Sequence, residues 1–162
     1  MLLDPSRPAP IWLVLPYLSF LERLFFLGLM VLGLYVILSA ITTVLGVRKM
    51  GALLHTGNST DAEQRLIALR RRSVRVDKLI TTAFYLFGVV LFLGLQDAYF
   101  VIDNSKIPVG SIILRNIEPH FAFAGNVFFV LLFLHVLGWF ISCSVGRLAL
   151  QCGTTPRTLE KY

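Results

Sequence analysis

Apolar residues in this chain gather into three long runs separated by polar and charged stretches. The first spans Leu24 to Val47. The second spans Leu79 to Gln96, with an extension to Ile102, and the third spans Phe121 to Gly146. Each approaches or exceeds the roughly 20 helical residues that cross a bilayer. In lipid an isolated strand leaves its backbone polar groups unsatisfied, so such runs are expected to be helices. The expected fold class is therefore all-α: an integral membrane protein with three transmembrane helices in a single domain, 1–162. Its parts are an outer N-terminal segment 1–23, a first span 24–47, a loop 48–78 and a second span 79–102. An outer loop 103–120, a third span 121–146 and a tail 147–162 complete it.

Between the spans the patterning changes. GALLHTGNST has the composition of a loop, and Thr60-Asp-Ala-Glu63 has the form of a capping box opening a helix over 61–78. Ala62, Leu66, Leu69, Val76 and Ile80 recur there at helical spacing, with Ser73 filling the gap. That predicts an amphipathic helix lying on the inner leaflet and running straight into the second span. VGSIILRNI, in the outer loop, reads as a short strand or an interfacial re-entry, with Pro119 in the first turn of the third helix. At the N-terminal end, Pro16 splits an apolar stretch, so Ile11 to Phe20 reads as an interfacial segment with Trp12 and Tyr17 at headgroup level. The alternative is a first helix that begins near Ile11, with Glu22 and Arg23 paired. The prolines and the lack of a basic start argue against a signal peptide.

Composition supports this reading: 56% of the 162 residues are hydrophobic, and the mean hydropathy is +0.76. The net charge of +6 sets orientation. Eight Lys/Arg fall in 48–78 and three in the tail, against two in 97–120 and two in 1–23. Basic loops stay in the cytoplasm, so the N-terminus is expected outside and the C-terminus inside, in a bacterial inner (cytoplasmic) membrane. Beside a membrane, Arg70, Arg71, Arg72, Arg75 and Lys78 are expected to meet anionic lipid rather than nucleic acid. Cys143 and Cys152 lie toward the reducing side without paired ligands, and packing or surface roles suit both.

Candidate chemistry concentrates in the third span. His120 and His135 are fifteen residues apart, within about 60° of one helix face and roughly 22 Å apart along it. That spacing suits paired b-type hemes. The second axial ligands would have to come from another copy or a partner subunit, since the remaining histidine, His55, lies in the cytoplasmic loop. Convergent metal ligands are lacking, and no cofactor is expected of the chain by itself.

His135's face continues through Gly138, Ser142 and Gly146, a small-residue spacing that lets helices approach closely. Asn126 falls about 180° away. In the first span Gly28, Tyr35, Ser39, Thr42 and Gly46 share a face, and in the second Thr81, Gly88 and Gln96 do. These positions are expected to glue helices together or to line a pathway at an oligomer axis. Glu22, Gln96, Asp97, Glu118 and His120 gather at the outer boundary, and no acidic or basic residue lies in the middle of a span. With no nucleophile–base constellation or phosphate loop, the expected function is a non-catalytic membrane subunit, a homo-oligomer or part of a larger complex.

The plan of three spans, with an insertion between the first two and an outer hairpin before a long third helix, resembles the MotA/TolQ/ExbB proton-channel family. Tyr85–Val90, YLFGVV, is similar to that family's LFGTV-type stretch, and the AGNVFF around Asn126 sits where its pore-facing polar residue falls. The resemblance covers the three spans and implies a channel or stator subunit surrounding a partner's ion-carrying helix. The chain departs from the family at Val89, where a pore threonine stands, and in its much shorter cytoplasmic region.

Overall fold

The structure, a computed structural model, describes residues 10–55, 59–103 and 109–151, with side chains described over 10–50, 63–96 and 117–150. Among these residues it is helical apart from short connections. A short helix α1 (Ile11–Val14) and a 3-10 turn (Leu15–Tyr17) precede α2 (Phe20–His55), α3 (Ser59–Asp103) and α4 (Val109–Gln151). α2, α3 and α4 each contain a stretch long and apolar enough to cross a membrane: Phe20–Met50, Glu63–Gln96 and Ile117–Leu150. At 31, 34 and 34 residues these stretches run to about 46–51 Å. The hydrocarbon core is about 30 Å thick, so the helix ends reach beyond it.

Local sequence explains where the helices start and stop. Pro16 has no N–H to continue an α-helical ladder, and Leu18 is extended at φ −77°, ψ 153°. The break separates α1 from α2, so one helix from Ile11 does not form, and Arg23 does not pair with Glu22. Its guanidinium donates instead to the carbonyls of Leu18 and Pro16. Trp12 and Tyr17 are exposed, while Val14 and Leu18 are buried.

Two expectations for the outer loop are corrected. Residues 109–117 are helical rather than a strand, and Pro119 lies inside α4 rather than in its first turn. A short apolar run does not by itself distinguish strand from helix. A lone strand has no partner for its backbone, whereas a helix closes its own hydrogen bonds. Pro119 costs one such bond, to the carbonyl of residue 115. The capping-box side chains of Thr60 and Asp61, the side chain of Ala62, and Cys152 and the tail beyond it lie outside the described residues.

The chain divides into two compact units, one drawn from Met1–Met30 and Thr82–Leu132, the other from Val31–Thr81 and Phe133–Tyr162. In both, buried positions alternate at spacings of three and four, the seam of coiled-coil packing. In the first unit the seam is Glu22, Phe25 and Leu29 of α2; Ala83, Phe87 and Gly94 of α3; and His120, Phe123, Val127 and Leu131 of α4. Phe25, Phe87 and Phe123 meet with ring centroids 6.1–6.5 Å apart, a favourable aromatic spacing.

In the second unit, Met50, Leu66, Val145, Leu148 and Ala149 form a buried cluster, with Val47 and Leu69 packed against it. Gly138 lets α4 approach α3: a Cβ there would lie 2.9 Å from Ile80 Cδ1. The hydroxyls of Ser73 and Ser142 bond at 2.7 Å. Leu66, Ser73, Val76 and Ile80 are thus buried against protein, where the sequence places that stripe on the inner leaflet. Hydrogen bonds between membrane helices average about 0.6 kcal/mol because the separated helices find other partners. Exchanging both serines for alanine should therefore cost below about 1 kcal/mol, measured as the shift in an SDS unfolding titration.

Candidate functional site

The most unusual chemistry in the first unit is a carboxylate and an imidazole buried in apolar surroundings. Glu22 is 0% exposed and His120 5%. His120 Nδ1 lies 2.8 Å from one carboxylate oxygen and 2.9 Å from the other, so the imidazole donates its Nδ1–H to the carboxylate. Ser19 supplies two more donors to Oε2, its backbone N–H and its hydroxyl, each at 2.9 Å.

Chain-local chemistry builds half of this site. Ser19-Phe-Leu-Glu22 is a capping box: Ser19 is the N-cap of α2, its carbonyl accepting from Arg23 N–H at 3.2 Å. Glu22 reaches back to Ser19 N–H, and Ser19 Oγ accepts from Glu22 N–H at 3.4 Å. The positive end of the helix dipole favours a carboxylate there. The other half comes from α4, where His120 follows the buried Pro119. From α3, Gly94 closes over the carboxylate, and a Cβ on it would lie 2.7 Å from Oε1.

This arrangement ties α2 to α4 and leaves no buried side-chain nitrogen or oxygen without a partner among the described residues. Its order is serine–carboxylate–imidazole. A serine activated for attack needs the imidazole next to its hydroxyl, whereas here the hydroxyl is bonded to the carboxylate. The cluster serves as a helix cap and an interhelical latch.

The remaining sequence candidates fall in different places. Of the outer-boundary group, Glu22 and His120 come together, Gln96 and Glu118 are exposed, and the side chain of Asp97 lies outside the described residues. His135 is exposed and belongs to the second unit. No group of three or more metal-ligating side chains occurs among the described residues. Cys143 is a half-buried free thiol.

Gly138 is buried and Ser142 is bonded to Ser73, but Gly146 is exposed. In α2, Ser39 is buried and Gly46 half-buried, Gly28 and Tyr35 face outward, and the exposed Thr42 accepts from Arg72 of α3. Thr81, Gly88 and Gln96 of α3 also face outward. Asn126 is half-buried, and its amide donates to the Ala122 carbonyl one turn back at 2.7 Å. Arg71, Arg72, Arg75 and Lys78 are exposed and Arg70 half-buried.

The sequence reading pairs neither Glu22 with Ser19 nor Glu22 with His120. The first had a visible signal, the Ser-x-x-Glu spacing at 19–22. The second joins residues 98 apart, and only their shared position at the boundary hinted at it. Compared with known protein families, curated proteins and solved structures, the chain matches none of them.

Proposed function

We propose that the chain is a non-catalytic integral membrane subunit, N-terminus outside and C-terminus in the cytoplasm, that packs laterally against copies of itself or other membrane proteins. One observation carries this reading: small and polar residues remain on the outer faces of helices whose inward seams are already filled. Gly28 and Tyr35 lie seven residues apart on the outside of α2, and Thr81 and Gly88 do so on α3. Helices in lipid associate through such residues, which allow close backbone approach and interhelical hydrogen bonds. Only 22, 11 and 28% of the most apolar windows of the three spans is buried within the chain, so ample surface is left for lipid and for neighbours. The orientation rests on the excess of Lys/Arg between the first two spans.

Purification in a mild detergent, with mass measured by light scattering, tests this. The expected species contains more than one chain, or co-purifies with a defined membrane partner. A stable, solitary monomer would overturn lateral packing.

A second reading, a channel or stator subunit of the MotA/TolQ/ExbB kind, draws support from α3. Gly88 and Val89, within the family-like stretch, point outward, where an assembly axis would run. In that reading Asn126 contributes the pathway's polar group, and an Asn126→Leu variant loses ion-dependent activity.

A further inference from the structure

In the second unit, α2 and α3 leave an open groove lined by Gly46, Arg65, Ala68, Leu69 and Arg72. Residues 65, 68, 69 and 72 lie within about a 100° arc of α3, and the two arginines stand two turns, about 10.5 Å, apart along it. Between them the floor is apolar. On the opposite wall Leu69 packs closely against Gly46, its Cδ2 3.3 Å from where a Cβ would stand. Among the described residues no carboxylate lines the groove.

Arg72 is held in place. Its Nη1 donates to Thr42 Oγ1 at 2.5 Å, and that hydroxyl donates to the Ser39 carbonyl at 3.0 Å. One of the five guanidinium donors is thereby fixed and the others remain for a ligand, with less ordering to be lost on binding.

We propose that this groove binds one anionic phospholipid, its phosphate between Arg65 and Arg72 and an acyl chain along Ala68, Leu69 and Gly46. The proposal rests on the membrane reading above. Charge complementarity selects the occupant: two guanidiniums, with no neutralising carboxylate among the described residues, recognise a phosphate. A free phosphate has no use for the apolar floor, whereas a lipid covers it. Arg71 points away from the groove and belongs to general attraction toward the leaflet.

The test uses the full chain in mild detergent, titrated with phosphatidylglycerol, with phosphatidylcholine of the same chains, or with inorganic phosphate, and read by native mass spectrometry. Phosphatidylglycerol is expected to stay bound at least about fivefold better than phosphatidylcholine, and the Arg65→Gln/Arg72→Gln pair to weaken it roughly tenfold. Arg71→Gln, which removes a charge outside the groove, should change binding less than about twofold. Gly46→Leu keeps every charge but fills the groove, and should also weaken binding.

Unchanged binding in the double variant, an equal loss in Arg71→Gln, or competition by free phosphate as effective as the lipid itself would each overturn the site. Retention of the parent chain in vesicles after an alkaline wash separates the two levels. If it washes off, the membrane reading fails; if it stays but shows no lipid preference, only the groove assignment fails.

Discussion

Glu22→Ala is expected to cost the protein about 3 kcal/mol of stability, the upper end for leaving buried donors without their acceptor. Three losses combine. His120 is left buried without its acceptor, Ser19 loses its bonds from N–H and hydroxyl, and α2 loses a cap that is worth about 1 kcal/mol. A typical hydrogen bond between membrane helices averages only about 0.6 kcal/mol. The larger figure applies here because Glu22 is fully buried and accepts several donors at once.

Glu22→Gln keeps the shape and one acceptor oxygen and should lose about half as much. An SDS unfolding titration followed by circular dichroism gives the numbers. His120→Ala and the double variant complete a cycle whose coupling should exceed about 1 kcal/mol. If the two single effects simply add, the latch between α2 and α4 does not exist in the membrane-embedded protein.

Gly94→Ala should cost about 2 kcal/mol, within the range for overpacking a filled site. The new methyl would lie 2.7 Å from Glu22 Oε1 and 2.8 Å from its Cδ, and the carboxylate cannot move without giving up Ser19 or His120. In a Glu22→Ala background the obstacle is gone, and the same substitution should be nearly neutral. Gly33→Ala and Gly125→Ala, where a Cβ meets nothing within 4 Å, serve as controls with little effect. Equal penalties for Gly94→Ala in both backgrounds would show that the clash is not with the carboxylate.

Much of the fold was legible because length and charge are enough to mark a lipid-spanning helix. The continuity of α3 was legible too: Leu66, Val76 and Ile80 keep one helical phase across the junction between loop and span. Which way each helix faces was harder to read. A leucine is equally at home against lipid or in a helix seam, so apolar periodicity carries little phase information in a span. Small and polar residues are therefore what suggests an inward face. Ser39, Gly138 and Ser142 do face protein, but Gly28, Thr81 and Gly88 turn outward. In α4 the true seam runs through Leu134, Gly138, Ile141 and Val145, so His135 lies to one side of it. A proline after a loop-like stretch suits a first turn, and only the helical 109–118 before Pro119 shows otherwise.

The latch also bears on how the protein is made. Glu22 leaves the ribosome 98 residues before His120, an interval of roughly 5–20 s at ordinary elongation rates. Through that delay an acidic group at the mouth of the nascent first span has only Ser19 for company. It has reason to linger in the headgroups until the last helix arrives, which makes final docking of that helix a late checkpoint in biogenesis.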